Sequence, residues 1–151
     1  MASRKFARGF ARKPPKFHPM AAYPLEIVLS RQLAENLTTS VFITDPAGNL
    51  LYYNEQAEVL LGKRFEFTGP MAVEEWSVIF KPKTKEGKDL PPSDLPLVQT
   101  LHTRRPSHST FWIESLGGQR HLISVTSLPL SGPEGTFYGA MAIFWSNEPA
   151  L

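Results

Sequence analysis

Few side chains in this sequence are arranged as a catalytic or metal-binding set. The chain has no cysteine, which excludes disulfides, thiolate nucleophiles, cysteine–zinc sites and cofactors attached through sulfur. Its four histidines lack the spacing of a zinc site. Glu74 and Glu75 are adjacent, so they would point in different directions and cannot act as an acid–base pair. We therefore predict no catalytic residues and no metal ligands.

Polar and aromatic side chains offer a binding role instead. Four polar residues could orient a ligand: Thr44, Asn54, Ser124 and Thr126. The tryptophans Trp76, Trp112 and Trp145 could stack on a planar ligand or fill a core. Asn54 has a simpler alternative, because asparagine is a favoured residue at the start of a helix. These residues need a fold that brings them together.

Length and composition favour one domain. The chain has 151 residues, of which 42% are hydrophobic and 11% aromatic, enough for one ordinary core. No apolar run approaches the ~20 residues that cross a bilayer, and the N-terminus lacks the apolar core of a secretory signal. We expect no transmembrane segment and a soluble, cytoplasmic protein.

The basic charge lies in the N-terminal tail. Residues 1–16 hold six lysines and arginines and no acid, and without them ten basic residues face fourteen acidic ones. A nucleic-acid surface across the whole fold is therefore not expected. We predict a disordered basic tail over residues 1–23. It could tether the protein to nucleic acid or an anionic membrane, act as a transit peptide, or be a solvated tail with no dedicated role.

An amphipathic helix is predicted over residues 24–37. Pro24 suits a first helical turn, and Glu26, Arg31 and Glu35 lie off the apolar stripe. The stripe follows helical spacing and contains Leu25, Val28, Leu29, Gln32, Leu33 and Leu37. A lone helix must bury such a face against something.

A β-hairpin and a short helix follow. Val41–Thr44 and Leu50–Tyr53 have strand composition, and residues 45–48 between them are Asp-Pro-Ala-Gly, typical of a turn. Asn54 suits an N-cap and Gly62 a C-terminal stop for a helix that ends at Leu61.

The rest of the chain predicts two helices and three strands. One helix lies near Val73–Phe80, and another begins at residues 91–93, with Ser93 as N-cap, and ends near Thr103. The strands are Ser109–Glu114, Gln119–Leu128 and Thr136–Trp145, with a loop over Pro129–Gly135. This order predicts an α+β domain with a five-stranded antiparallel sheet.

Several strands are apolar at consecutive positions, as in residues 41–43, 111–113 and 141–145. A strand with one wet face should alternate, so the sheet should be covered on both faces. The short helices can cover one face. The N-terminal helix, or a partner subunit, must cover the other.

Three segments together resemble the PAS domain family. Residues 41–62 (VFITDPAGNLLYYNEQAEVLLG) are similar to its first hairpin and helix, with Thr-Asp-x-x-Gly in the turn. Residues 87–106 (GKDLPPSDLPLVQTLHTRRP) resemble its segment before the central strand. Residues 117–144 resemble its last two strands. The resemblance places a PAS-like domain at residues 38–146 and a short tail at 147–151.

The resemblance implies a sensory or interaction module in signal transduction, of bacterial regulator type, without catalysis. PAS domains bind small ligands between sheet and helices and often dimerise through an N-terminal helix. The expected ligand-binding residues are Phe42, Thr44, Asn54, Leu60, Phe80, Leu97, Leu101, Trp112, Ser124 and Thr126. The expected dimer or outer sheet face contains Leu25, Val28, Leu29, Leu33, Ile43 and Trp145. A homodimer and a signalling protein partner are expected, with no specific nucleic acid.

Cofactors are restricted by the same resemblance. A flavin–cysteinyl adduct and a thioester-linked chromophore both need cysteine, which is absent. Haem would need a histidine ligand such as His102. In the family the haem ligand lies earlier in this helix, whereas His102 lies close to the C-terminal end of the predicted helix. We therefore expect no cofactor, or an unidentified small molecule.

Two other functions remain open. The protein could be an adaptor that its basic tail anchors to nucleic acid or an anionic membrane. It could also be a small α+β enzyme with a cup-shaped site, which would need a buried carboxylate or histidine.

Overall fold

A computed structural model describes residues 23–147, which form one antiparallel sheet with helices on both faces. The strands are β1 (Ser40–Thr44), β2 (Leu50–Tyr53), β3 (Ser107–Glu114), β4 (Arg120–Ser131) and β5 (Phe137–Ser146). Their order across the sheet is β2-β1-β5-β4-β3, so the last strand of the chain lies at the centre. Most of the predicted basic tail, and the C-terminal residues after Asn147, lie outside the described part of the chain.

Five α-helices accompany the sheet in the described residues. They are α1 (Leu25–Glu35), α2 (Glu55–Leu61), α3 (Phe65–Thr68), α4 (Val73–Ile79) and α5 (Pro96–Thr103). The predicted α+β class with a five-stranded antiparallel sheet is confirmed. None of the helices between residues 23 and 147 has the length and apolar character that a membrane span requires.

The hairpin and α2 form where the sequence predicts them. In the turn, Asp45 Oδ1 accepts hydrogen bonds from the backbone N–H groups of Ala47 and Asn49, at 3.0 and 2.9 Å. Asn54 caps α2 by accepting from the N–H of Ala57 at 3.1 Å. Gly62 ends the helix at φ 84°, a left-handed conformation that glycine adopts without strain.

Two predicted boundaries are wrong. Ser93 does not cap α5: it lies in a 3-10 turn over Pro92–Asp94, and the α-helix begins at Pro96 after Leu95. The residue before a proline is disfavoured in helical conformation, so Leu95 is extended and separates the two helical segments.

The strand β4 is longer than predicted and continues to Ser131, through the first three residues of the expected loop. It pairs with β5 there, Pro129 opposite Ala140. The pairing of β3 with β4 ends at Ser107, opposite Ser127. Pro129 lies beyond that point on β4, so its missing N–H does not remove a hydrogen bond to β3.

Each face of the sheet carries its own hydrophobic core. The inner core lies between the sheet and α2–α5 and contains Phe42, Tyr53, Trp76 and Phe144 among its largest members. The outer core lies between the sheet and α1, and Ile27 and Ala34 of the helix meet Val41, Ile43, Leu51 and Met141 of the sheet there. The consecutive apolar residues of β1 are therefore buried on both sides.

The helix α1 packs on the sheet through a different face from the predicted stripe. Its buried residues are Ile27, Ser30 and Ala34, whereas Leu25, Leu29 and Leu33 are 65%, 52% and 55% exposed. At 100° per residue, these two groups are centred about 130° apart around the helix axis. The helix α1 covers the outer sheet face around Val41, Ile43, Leu51 and Met141, and the leucine stripe faces away from the sheet.

Candidate ligand cavity

A cavity of about 90 Å³ lies inside the inner core, between the sheet and the helices. Its wall is almost wholly apolar, and among the lining residues Ser77 alone has a polar side chain. The lining consists of Phe42, Leu61, Trp76, Ser77, Phe80, Pro82, Leu95, Pro96, Leu97, Phe111, Ile113, Ile123, Val125, Ala142 and Phe144.

Strand register decides which sheet residues reach this cavity. Phe42 of β1 lies opposite Ala142 of β5, and Val125 of β4 lies opposite Phe144 of β5. Residues that face each other across antiparallel strands project to the same side. Alternate residues of β1, β3, β4 and β5 therefore supply one wall of the cavity, and Ala142 is the smallest side chain among them.

Three predicted ligand-binding residues lie in the lining: Phe42, Phe80 and Leu97. Leu60 and Leu101 pack against the inner core as half-buried side chains but do not line the cavity. Contact of any of them with a ligand stays a prediction.

Three others project from the opposite side of the sheet. Trp112 is half-buried beneath Arg120, whose guanidinium carbon lies 4.7 Å from the centroid of the tryptophan ring. Ser124 pairs with Thr110 at 2.9 Å, and Thr126 Oγ1 lies 2.9 Å from Nδ1 of His108. The prediction that these three residues line the cavity is wrong.

These residues were assigned to the wrong face of the sheet, because side chains alternate between the two faces along a strand and a shift of one residue exchanges them. Phe111 and Ile113 of β3 and Ile123 and Val125 of β4 occupy the inner face, so the residues between them must face outward. Trp145 lies on the outer side too and is 41% exposed, as predicted.

Thr44 and Asn54 are buried but do not line the cavity. Thr44 pairs with Ala140, an inner-core residue, and is fully buried. Its Oγ1 has no hydrogen-bond partner within residues 23–147. It is a polar group on the side of the inner core that no described contact satisfies.

The four described hydrogen bonds of the Asn54 side chain are all made with backbone groups. Its side-chain oxygen accepts from the N–H groups of Val41 and Ala57, at 3.0 and 3.1 Å. Its amide nitrogen donates to the carbonyl oxygens of Ala34 and Thr39, each at 2.9 Å. The helix-cap alternative is confirmed, and it extends to the segment between α1 and β1.

Trp76 connects the cavity wall to the hairpin turn. Its Nε1–H donates to the carbonyl oxygen of Gly48 at 2.7 Å, and its ring lies edge-on to that of Phe42, with centroids 5.4 Å apart. A side chain at Gly48 would press on Val73 of α4, 3.0 Å from its Cβ, so the turn and the helix are in tight contact.

Tyr53 bounds the same core on the side of α3. Its hydroxyl donates to the carbonyl oxygen of Lys63 at 2.8 Å and lies 3.0 Å from Thr68 Oγ1. Burial raises the pKa of Tyr53 above its ordinary value, and the hydrogen bond with Thr68 partly opposes this. The tyrosine is a neutral residue of the inner core at physiological pH.

The histidine considered for haem does not reach the cavity. His102 is exposed near the end of α5, and no histidine is among the lining residues. The lining has no side chain that would ligate iron or match the polar edge of a flavin. The described residues of the cavity therefore do not fit either cofactor.

Most of the lining was not predicted from sequence. The missed residues include Leu61, Trp76, Val125, Ala142 and Phe144. The strand residues could have been found from the strand register. If Phe42 points inward, its pairing with β5 and the pairing of β5 with β4 require Ala142, Phe144 and Val125 to point inward as well.

Known proteins resemble this chain in structure and not in sequence. No protein-family model matches the sequence, and no curated protein matches it. The PAS domain of the fruit-fly ELK potassium channel superposes with a TM-score of 0.64 at 9% identity, covering 82% of this chain and 98% of that chain.

Two further solved structures extend the comparison. The light-state dimer of the fungal blue-light photoreceptor Vivid gives a TM-score of 0.57 at 10% identity, with 90% and 99% coverage. The PAS domain of BvgS from Bordetella pertussis gives 0.55 at 12% identity, with 82% and 87% coverage. With the strand order, the paired cores and the inner cavity, these matches lead to one conclusion: residues 23–147 form a PAS-like domain.

Proposed function

We propose that this protein is a sensory and protein-interaction module of signal transduction, which forms homodimers through α1 and binds a small ligand in the inner cavity. One observation carries the proposal most directly. The helix α1 is already fixed on its own sheet by Ile27 and Ala34, yet it presents a second apolar stripe of Leu25, Leu29 and Leu33 away from that sheet. A helix with no partner would place polar residues there.

The stripe has the geometry of a helix–helix seam. Its three leucines are four residues apart and so form one row along the helix, which is the row that fits between the side chains of a facing helix. The neighbouring surface is organised: Arg31 is paired with Glu35 at 3.1 Å and lies over the ring of Tyr52, at 4.5 Å from its centroid. These contacts hold the helix in orientation, so the leucine row is presented as a fixed surface.

The cavity favours binding over catalysis. Its lining contains no carboxylate or imidazole that could transfer a proton, and one hydroxyl, that of Ser77, is its polar side chain. This supports a non-catalytic module rather than an enzyme with a cup-shaped site.

The test is the oligomeric state of the full chain, measured by light scattering at about 20 µM, a concentration that populates a micromolar dimer. We expect a dimer for the wild type and folded monomers for Leu29→Asp and Leu33→Asp, because a carboxylate in the seam would be desolvated without a partner. Val59→Asp is the matched control, since Val59 on α2 is 75% exposed, does not belong to the leucine stripe and should leave the dimer intact. A monomeric wild type, or aspartate variants that stay dimeric, would overturn the role of α1.

A further inference from the structure

We propose that the inner cavity accepts small, uncharged, predominantly apolar molecules of about the size of one aromatic ring, and excludes anions and multi-ring cofactors. The inference rests on the proposed function, because it names the class of ligand for that same cavity. It follows from the size, polarity and charge of the lining.

Size sets the first limit. An apolar cavity of about 150 Å³ in a protein core admits a benzene ring, and sites for drug-sized ligands are about 300 Å³ or larger. The volume here is about 90 Å³. A single ring or a short hydrocarbon chain can enter with small movements of the lining side chains, whereas a flavin or haem would require the core to open.

Polarity sets the second limit. A buried water needs two to four polar partners, and the side chains of the lining offer the hydroxyl of Ser77. Water gains little in such a space, so an apolar molecule that enters does not have to displace strongly held solvent. A ligand with one weak polar group could meet Ser77, and a more polar ligand would lose hydrogen bonds on entry.

Charge sets the third limit. None of the lining side chains is ionised, and an unpaired carboxylate or ammonium in such a cavity has a large desolvation penalty. Two lysines adjacent in sequence to lining residues are engaged in ion pairs: Lys81 pairs with Glu114 at 3.7 Å, and Lys83 pairs with Asp89. The cavity therefore selects neutral ligands over anions of the same shape.

Ala142 is the position that controls the free volume. It lies on the central strand β5 and in the lining, between Phe42 on β1 and Ser127 on β4, its cross-strand neighbours. A larger apolar side chain there would occupy the space in which the ligand sits. Ala142→Leu tests this directly, and Val125→Ile is a milder filling change in the same lining.

The experiment compares toluene with benzoate, which have the same ring and differ in charge, on the full-length protein. We expect toluene to raise the melting temperature by about 4 °C at a tenfold excess over its Kd, and benzoate to have no effect. Trp76 gives a second readout: in a Trp112→Phe/Trp145→Phe background it is the remaining tryptophan and lines the cavity, so toluene should change its fluorescence.

Ala142→Leu and Val125→Ile should weaken or abolish both toluene responses while the far-UV spectrum stays native. Ala72→Leu is the control for added bulk, since Ala72 is exposed and its φ of −69° suits leucine. A benzoate response equal to that of toluene, or a toluene response that survives in both filled variants, would overturn the ligand class. Failure of toluene to bind in a protein that is still dimeric would reject this inference and leave the α1 interface standing.

Discussion

At the scale of single residues, buried polar groups near the cavity divide into satisfied and unsatisfied ones. Ser127 and Thr100 are fully buried, and their hydroxyl oxygens lie 2.6 Å apart. Thr44 is equally buried, and its hydroxyl has no partner in the described structure. An unsatisfied buried hydroxyl destabilises the fold, and replacement by an apolar group of the same shape removes that penalty.

We therefore predict that Thr44→Val raises the free energy of unfolding by about 1 kcal/mol. Thr110→Val is the matched control, because Thr110 Oγ1 is hydrogen-bonded to Ser124 and its loss should destabilise by about 1 kcal/mol. Urea unfolding of both variants checks the difference in sign. A destabilised Thr44→Val protein would show that the hydroxyl has a partner that the described contacts lack.

At the scale of elements, one side chain joins three segments. Asn54 caps α2, accepts from β1 at Val41 and donates to the end of α1 and to the linker after it. It is 2% exposed, so water cannot replace these bonds if they are broken. The position of α1 on the sheet, and with it the leucine stripe, depends on this residue as much as on the outer core.

Asn54→Ala should lower the free energy of unfolding by about 3 kcal/mol, more than the ~1 kcal/mol of an ordinary cap, because buried backbone groups lose their partners. Asn36→Ala is the control: its amide donates to Gln32 O on an exposed surface, and its loss should cost under about 0.5 kcal/mol. Chemical denaturation measures both values, and equal small losses would contradict the joining role of Asn54.

At the scale of the whole molecule, two cores share one sheet, and tyrosines lie in both. Burial raises the pKa of Tyr53 in the inner core, of Tyr52 beside Arg31 and of Tyr23 next to α1, and nearby carboxylates raise all three pKa values further. A raised pKa means that the folded state keeps these protons at a pH where the unfolded chain, with an ordinary value of 10.0, has released them. The unfolded state then binds fewer protons, so stability falls as pH rises.

We predict that the free energy of unfolding is insensitive to these tyrosines below about pH 9 and falls progressively as pH rises through the folded-state pKa values. Tyr53→Phe should make the alkaline fall shallower than in the wild type, although its stability at pH 8 drops with the lost hydrogen bond to Lys63 O. Denaturant titrations between pH 8 and 11 measure both slopes. Parallel slopes would show that ionisation of Tyr53 does not contribute.

The sequence by itself determined the local features. Turn and cap chemistry acts between neighbours in the chain, so Asp45, Asn54 and Gly62 could be assigned without knowledge of the fold. The number and order of strands followed from composition and turns, and the motifs in their order predicted the PAS-like architecture.

Only the tertiary structure decided which way the strands and α1 face. In a sheet buried on both sides, apolar residues occupy consecutive positions, so the pattern of β3 does not say whether Phe111 or Trp112 points inward. The pairing of β3 with β4, and of β4 with β5, settles that, and it places Trp112, Ser124 and Thr126 outside the cavity. The rotation of α1 was decided in the same way: small residues at Ser30 and Ala34 allow close approach to the sheet, and the larger leucines are left outward because packing depends on shape as well as hydrophobicity.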